Sequence, residues 1–325
     1  MRKLAESTFF CITLTFTVIL VLTIPMRFGG QSLAKPITWT RVWGTEFDGP
    51  ANSKVDPSYW RYDTGDGYGC SGCPANWGTG EIESMSNSTA NVSRDGKGHL
   101  VIKAIRNSRG NWTSGRIETQ RTNFAAPPGG QLKITASLQQ PNAPNAAGYW
   151  PAFWIAGTPF RNNYLNWPQV GAITIMEDVN GLSSEFGTLH CGAGQKGPCN
   201  ETTGLGSGKR PCSGCQNAFH TYMVIIDRSI SPEQIRWYLD GANFFTVKAD
   251  QVPVNVWHAA VDDHAFFIVF DLAIGGVLPA AEGGGPNSST ASGGSLQVDY
   301  VHVYVARGSS MPTPSPVKTP TKTIS

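Results

Sequence analysis

Apolar residues recur along the chain in short runs that alternate with polar ones. The clearest runs cover residues 99–106, 131–137, 220–227 and 296–305. A period of two is typical of β-strands that bury one face, and no stretch keeps a helical period for three turns. Turn signals such as Asp95-Gly96 and Asp240-Gly241 bound these runs. The pattern predicts an all-β protein, an antiparallel sandwich of two sheets.

The two ends of the chain differ from the middle. Arg2 and Lys3 precede an apolar run over residues 9–24, and small residues follow up to Ala34, which is the layout of a secretory signal peptide. An uncleaved membrane anchor is the alternative, although the run is short for a bilayer span of about 20 residues. Residues 308–325 are rich in Pro, Ser and Thr and predict a tail or linker. We therefore expect a leader over residues 1–34, a folded domain over 35–307 and a secreted protein.

Secretion decides how the cysteines are interpreted. An even number of them remains after the leader, and in an oxidising compartment this favours disulfides. Among the possible pairings we favour the short-range set, which joins Cys70 with Cys73, Cys191 with Cys199, and Cys212 with Cys215. A four-thiolate zinc site made by the two Cys-x-x-Cys motifs is the alternative.

Composition narrows the class of partner. Only 15% of the residues are charged and the formal net charge is +2, so the chain lacks the basic surface that nucleic acid requires. Its 10 Trp, 9 Tyr and 15 Phe suit a partner that stacks on aromatic rings, as neutral sugars do. In residues 148–155, alternation places Trp150 and Trp154 on one face. These two indoles are either a stacking platform or part of the core.

A second strand, over residues 171–178, carries a candidate acid. Plain alternation would bury Glu177 in the core, which is unfavourable for a charge. A one-residue bulge near Ile175 and Met176 would instead turn Glu177 to the face of Ala172 and Thr174. A carboxyl group placed there, in an aromatic cleft, would have a raised pKa and could serve as a general acid.

This strand resembles the active-site strand of glycoside hydrolase family 16, the laminarinase-like β-glucanases, in which Glu-x-Asp-x-x-Glu spans such a bulge. Further blocks resemble the family in the same order, at residues 46–49, 78–81, 114–118, 148–154, 187–190, 219–222, 235–241, 266–276 and 298–304. The resemblance covers about residues 38–306. It implies a concanavalin A-like β-jelly roll with an open cleft, and retaining hydrolysis by two carboxyl groups.

The family's functional positions map onto this chain, but two catalytic positions carry a different residue. Glu177 matches the acid/base, but Ala172 stands at the nucleophile position and Thr174 at that of the assisting Asp. The resemblance further implies a set of residues that bind the sugar, namely Trp150, Trp154, Glu81, Arg116 and His190. It implies no required cofactor, although Asp299 could ligate a structural calcium ion as in some relatives.

A methyl group at the nucleophile position has a large consequence. It cannot form a glycosyl-enzyme intermediate, and loss of such a residue commonly lowers the rate by about four orders of magnitude. Three interpretations remain open: a non-catalytic glucan-binding protein, a hydrolase whose missing carboxylate is Glu81, Glu83 or Asp178, or a sequence altered at these two positions.

The expected partner is a polysaccharide. We expect β-1,3-glucan, with impaired hydrolysis. Mixed-linkage glucan, agarose, carrageenan and galactans are alternatives that the sequence leaves open. No nucleic acid and, after signal cleavage, no membrane is expected to bind, and we expect a monomer.

Overall fold

The computed structural model describes residues 37–307. The predicted signal peptide and the predicted C-terminal tail lie outside these residues. Within this range, no helix combines the length and the apolar character that crossing a bilayer would require.

Strands make up most of the domain. In chain order they are β1 Thr40–Thr45, β2 Trp60–Asp63, β3 Glu83–Met85, β4 Val92–Arg94, β5 Leu100–Lys103, β6 Ile105–Arg106, β7 Trp112–Ser114, β8 Arg116–Thr119, β9 Gly130–Gln139, β10 Tyr149–Gly157, β11 Ala172–Glu177, β12 Ser184–Glu185, β13 Thr188–His190, β14 Leu205–Gly206, β15 Arg210–Pro211, β16 His220–Asp227, β17 Gln234–Leu239, β18 Ala242–Lys248, β19 Phe266–Ile274 and β20 Ser295–Arg307. The helices are short, at α1 Pro159–Asn162, α2 Val254–Trp257 and α3 Val277–Ala281, with further helical turns at Asn76–Gly78, Tyr164–Asn166, Ala249–Gln251 and His258–Asp262.

Two large antiparallel sheets form the sandwich. One contains eight strands in the order β18-β17-β16-β9-β20-β5-β4, with β1 also paired to β20, and the other contains seven in the order β14-β13-β11-β10-β19-β8-β2. The main core contains alternate residues from both sheets, including Ile134 of β9 and Phe153 of β10, each fully buried. The predicted all-β sandwich is therefore confirmed.

The predicted strands appear close to their expected limits, with one correction. The run over residues 220–227 is β16. Between β17 and β18, Asp240 and Gly241 both adopt positive φ (49° and 80°), as a two-residue hairpin with a type I′ turn requires. The run over residues 99–106 is not one strand, because β5 belongs to the eight-stranded sheet and β6 pairs with β7 in a small separate sheet.

Candidate active site

The outer face of the seven-stranded sheet forms the floor of a cleft. On β10, Trp150, Ala152 and Trp154 line a cavity of about 310 Å³, whereas Tyr149 and Phe153 point into the core. The predicted alternation of β10 is therefore confirmed. The tryptophans belong to the cleft rather than to the space between the sheets.

A bulge places the candidate acid in the same cleft. Phe153 is paired with Met176 while the next residue, Trp154, is paired with Thr174, so Ile175 has no partner across the strand pair. Beyond this extra residue the alternation of β11 is reversed. Ala172, Thr174 and Glu177 consequently all line the cavity, and the predicted bulge is confirmed.

The strand registers arrange the cleft residues in rows across the sheet. One row contains Glu177, Ala152, Asp271 and Arg116, on β11, β10, β19 and β8. In a second row, His190 of β13 lies beside Ala172 of β11. Glu177 and Ala172, the predicted acid and nucleophile positions, thus lie in different rows of one continuous surface.

Glu177 is held in a form suited to proton donation. Its Oε1 accepts a hydrogen bond from Trp150 Nε1 at 2.6 Å. Burial raises the pKa of Glu177 to about 7, although the bond from Trp150 and the nearby His190 both favour the charged form. A carboxyl group with this pKa can be protonated at neutral pH and can donate its proton to a leaving oxygen.

The ring of Trp150 is fixed by close packing. Gly276 lies against it, and a Cβ added at this glycine would be only 2.8 Å from the indole. Gly276 also has a φ of +96°, which only glycine adopts readily. The indole is thereby held beside Glu177.

Arg116 lies at the other side of the cleft in an aromatic cage. Its guanidinium is 4.6 Å from the ring centre of Trp77, 5.1 Å from that of Trp154 and 5.6 Å from that of Tyr68. Its Nε donates to Asp63 at 2.9 Å. Arg116 is therefore a buried cleft residue and not a solvated strand residue. Its charge is balanced inside the protein, which favours a neutral ligand.

Trp154 links this cage to a carboxyl group that sequence patterns did not indicate. Its Nε1 donates to Asp271 Oδ2 at 3.1 Å. Burial raises the pKa of Asp271 to about 7, while Arg116 opposes the rise. The only signal for Asp271 in the sequence was one acidic residue in an otherwise apolar strand, Phe266–Ile274.

The three possible substitutes for the nucleophile differ in position. Glu81 lines the cavity and accepts a hydrogen bond from Thr79. Glu83 lies outside the cavity lining and accepts the Ile274 amide at 2.7 Å, and burial together with the neighbouring Glu81 raises its pKa to about 10. Asp178 is buried and accepts the Ser184 hydroxyl at 2.6 Å. Of the three, only Glu81 lines the cavity, so Glu83 and Asp178 are poorly placed to act as a nucleophile.

His190 is part of a pair that the sequence did not reveal. Its Nδ1 lies 3.0 Å from Glu201 Oε2, and Glu201 Oε1 accepts the Cys191 amide at 2.9 Å. Glu201 is buried, with 5% of its surface exposed. It comes from a loop without apolar periodicity, so no pattern connected it with His190.

Glu185 is a second buried carboxyl group that the sequence did not identify. It has no exposed surface, and neither of its carboxyl oxygens has a hydrogen-bond partner among the described residues. Burial, together with the charges of Glu177 and Asp178, raises its pKa well above the ordinary value. Glu185 does not line the cavity.

The cysteines form the predicted short-range disulfides, which join Cys70 to Cys73, Cys191 to Cys199, and Cys212 to Cys215. Both Cys-x-x-Cys motifs are thus closed within themselves. The alternative of a four-thiolate zinc site is wrong, because it would need all four as free thiolates.

The suggested calcium ligand Asp299 lies at an irregularity of β20, between Val298 and Tyr300. Within residues 37–307, it belongs to no group of three or more acidic, histidine or cysteine side chains close enough to share an ion. Calcium takes six to eight oxygen ligands. A calcium ion at Asp299 would therefore need carbonyl oxygens and water as most of its other ligands.

Comparisons with known proteins agree with this geometry. A family model described as "XgeA-like, catalytic GH16 domain" matches residues 106–222. The beta-glucanase of Rhodothermus marinus is 31% identical over 287 residues, which cover 85% of this chain and 88% of that protein. The glucan endo-1,3-beta-glucosidase A1 of Niallia circulans is 32% identical over 81% of this chain, which spans only 37% of that longer protein.

A solved structure extends the agreement to the fold. The endo-1,3-beta-glucanase from Streptomyces sioyaensis aligns with a TM-score of 0.81 and 50% identity, and the alignment covers 84% of this chain and 99% of that one. The fold is that of the jelly-roll glucanases. The chain belongs to glycoside hydrolase family 16.

Proposed function

We propose that this protein is a secreted, monomeric β-1,3-glucan-active protein in which glucan binding is intact and hydrolysis is impaired. The leader pattern and the three disulfides support a location outside the cell. The names of the relatives support β-1,3-glucan as the substrate. We propose that no cofactor is required.

One observation carries the proposal: the cleft keeps its acid and its aromatic walls but has a methyl group at the nucleophile position. Glu177 and Ala172 line the same cavity. Retaining hydrolysis requires a second carboxyl group about 5 Å from the acid. Binding requires only the rings and polar groups of the cleft, with Trp150, Trp154, Glu81, Arg116 and His190 as the proposed contacts.

The ordinary retaining route is therefore closed at the first chemical step. Glu177 can still protonate the glycosidic oxygen, but no glycosyl-enzyme bond can form at Ala172. Thr174 supplies a hydroxyl group where the family has the assisting Asp. We expect turnover about four orders of magnitude below that of a complete enzyme.

Two measurements on one protein preparation test the proposal. Titration calorimetry with laminarihexaose should show binding, with no comparable heat from an agarose or carrageenan oligosaccharide. A reducing-end assay on laminarin should show far less product than an equal amount of a complete family member. Absence of binding would refute the proposal, as would hydrolysis at the rate of a complete enzyme.

A non-catalytic β-1,3-glucan-binding protein is the alternative, favoured by the same methyl group. In that case laminarihexaose would bind, while hydrolysis would not exceed that of buffer alone. The two candidates thus share the binding result and differ in residual turnover.

A further inference from the structure

Ala172, at the nucleophile position, lies next to a histidine whose ring is held by a carboxyl group. His190 is paired with Ala172 across β13 and β11, and both line the cavity. Neighbouring strands are about 4.8 Å apart. The space beside the Ala172 methyl group is therefore within reach of the imidazole through one water molecule.

Glu201 determines which nitrogen of His190 is available. Its carboxylate faces Nδ1 at 3.0 Å, and Gly204 packs on the same edge, where an added Cβ would be 3.0 Å from Nδ1. A carboxylate accepts only a donated proton, so Nδ1 carries the hydrogen and the neutral ring keeps a lone pair at Nε2. Among the described residues, no group hydrogen-bonds to Nε2.

Two further contacts hold this pair in place. The Cys191 amide donates to the second oxygen of Glu201, and Cys191 is bonded to Cys199. On the other side, the ring centre of Trp167 is 5.3 Å from that of His190. The imidazole is thus fixed by its neighbours and only 18% of its side chain is exposed.

We propose that His190, positioned by Glu201, is the general base of a slow inverting hydrolysis in which a water molecule beside Ala172 attacks the sugar and Glu177 is the acid. This inference rests on the proposed glucan-binding cleft. In this route one direct displacement by water takes the place of the covalent glycosyl-enzyme step.

The atoms balance without any further reactant. The water oxygen forms a bond to the anomeric carbon while its proton passes to His190 Nε2. The bond from the anomeric carbon to the glycosidic oxygen breaks, and its electron pair stays on that oxygen, which takes the proton of Glu177. The products are an α-configured reducing end and a free hydroxyl, and solvent then returns a proton from the imidazolium to the carboxylate.

The position of His190 suits this route better than the retaining one. Inverting enzymes keep their acid and base about 6.5–9.5 Å apart to admit a water molecule, against about 5–5.5 Å in retaining enzymes. His190 lies one strand beyond the nucleophile position, on the side of β11 away from β10. The additional strand spacing provides the room that a water molecule needs.

Glu81 and Asp271 are the competing carboxyl groups of the cavity, and their surroundings are less suitable. Glu81 already accepts a hydrogen bond from Thr79, and burial raises its pKa. For Asp271 the obstacle is its position. It lies in the row of Glu177 rather than in the row of Ala172, with β10 between β19 and β11. Its Oδ2 already accepts from Trp154, and burial favours its protonated form. His190 is the group next to the nucleophile position.

The test uses a 4-nitrophenyl β-glycoside of laminaribiose, whose released nitrophenol reports slow turnover. We expect His190→Gln and His190→Asn to lower hydrolysis about 100-fold or more, in line with the loss of a general base. Calorimetric affinity for laminaritriose should fall far less than turnover does, because Gln and Asn keep polar atoms that can bond a sugar hydroxyl but cannot take the proton of water. Glu201→Gln should lower kcat more than it changes KM.

Sodium azide distinguishes a base from a merely structural histidine. Azide is already an anion and needs no base, so at the same azide concentration His190→Gln should reach the turnover of the original chain and yield the stable α-glycosyl azide, identified by NMR. The matched control is His220→Gln, because His220 has a similar carboxylate pair with Asp240 at 2.7 Å but lies outside the cavity lining. It should hydrolyse the glycoside at the original rate.

The following results would overturn the inference. Full hydrolysis by His190→Gln, failure of azide to restore turnover, formation of the β-azide, or a loss confined to Asp271→Asn would each exclude His190 as the base. If laminaritriose binds but the original chain gives no turnover above buffer, the inference fails and the binding proposal stands. If nothing binds, both fail.

Discussion

The two ends of β11 have different chemistry although they line one cavity. At one end, Glu177 accepts a hydrogen bond from Trp150 and has a pKa of about 7. At the other end, Ala172 and Thr174 present a methyl group and a hydroxyl group. The proposed proton donor and the aromatic walls of the cleft are thus structurally independent of the nucleophile position.

This independence has a physical cause. Glu177 is held by Trp150 on β10, and the ring of Trp150 is held by Gly276, so neither contact involves Ala172 or Thr174. A glutamate at residue 172 would add a like charge in the cavity, which raises the pKa of a neighbouring carboxyl group. Its absence changes the electrostatics at Glu177 but leaves both of its structural supports, the indole and the bulge, in place.

The largest effect is expected from placing carboxyl groups at residues 172 and 174, where the chain has Ala and Thr. Ala172→Glu combined with Thr174→Asp should raise laminarin hydrolysis about 1,000-fold or more, because a retaining enzyme needs a carboxyl group on each side of the bond. The matched control is Ala172→Gln with Thr174→Asn, which adds similar volume without carboxylates. A reducing-end assay measures both variants. Equal rates would show that the missing carboxyl groups at residues 172 and 174 do not limit hydrolysis.

The restored variant should also show a shifted pH dependence. The added carboxylate should move the pKa of Glu177 above 7, so the acid would stay protonated to higher pH and activity would decline later as pH rises. A pH-rate profile of the double variant and of the original chain gives the comparison. An unchanged alkaline limb would mean that the two carboxyl groups do not interact.

Binding should depend strongly on the aromatic wall. Trp154→Ala removes a stacking surface and the donor to Asp271, and we expect a loss of about 2 kcal/mol in glucan affinity. Trp39→Ala is the control, because Trp39 packs near Lys133 of the other sheet. Calorimetry with laminarihexaose measures both variants, and equal affinities would place the stacking elsewhere.

The buried Glu185, whose charge interacts with that of Glu177, should lower the free energy of unfolding. Its raised pKa means that the unfolded chain loses the proton first, so stability falls as pH rises above about 4.5. Glu185→Gln should therefore be more stable at pH 8, by on the order of 1 kcal/mol, with a smaller gain at pH 4. Urea unfolding measures this, with exposed Asp66→Asn as the control, and an equal gain at both pH values would exclude ionisation as the cause.

The smallest effect is expected from neutralising the acid. Glu177→Gln keeps an oxygen that can accept from Trp150, so laminarihexaose affinity should change by less than about 0.5 kcal/mol. Hydrolysis of unactivated glucan should fall, since the amide cannot donate a proton as an acid. A large loss of affinity would show that the carboxyl group itself carries the contact with the sugar.

Sequence patterns predicted those features that depend on strand periodicity. The sandwich followed from alternation, and the bulge at Ile175 followed from the high free energy of a buried charge at Glu177. Periodicity predicted which side chains of β10 share a face, and the argument from the buried charge was needed to place Glu177 on the face of Ala172 and Thr174. The roles of the site residues stay predictions until the variants above are measured.

The features that were missed depend on contacts between distant segments. Glu201 meets His190 only through the conformation of the loop between β13 and β14, and Tyr68 and Trp77 reach Arg116 from loops outside the sheet. Such loops have no period that would reveal where their side chains point. Asp271 is different. The sequence showed it as a single acidic residue in an apolar strand but did not indicate that it lines the cleft beside Trp154.

The pairing of the first and last strands has a consequence for the connectivity of the chain. Thr40 of β1 is paired with Val305 of β20, so both ends of the domain lie side by side on the eight-stranded sheet, while the cleft lies on the other sheet. A short peptide could join residue 307 to residue 37, and the chain could be opened at the exposed turn after Asp240. Such a circular permutant would keep every strand of the cleft in register, because the site depends on which strands are neighbours and not on the order in which the chain visits them.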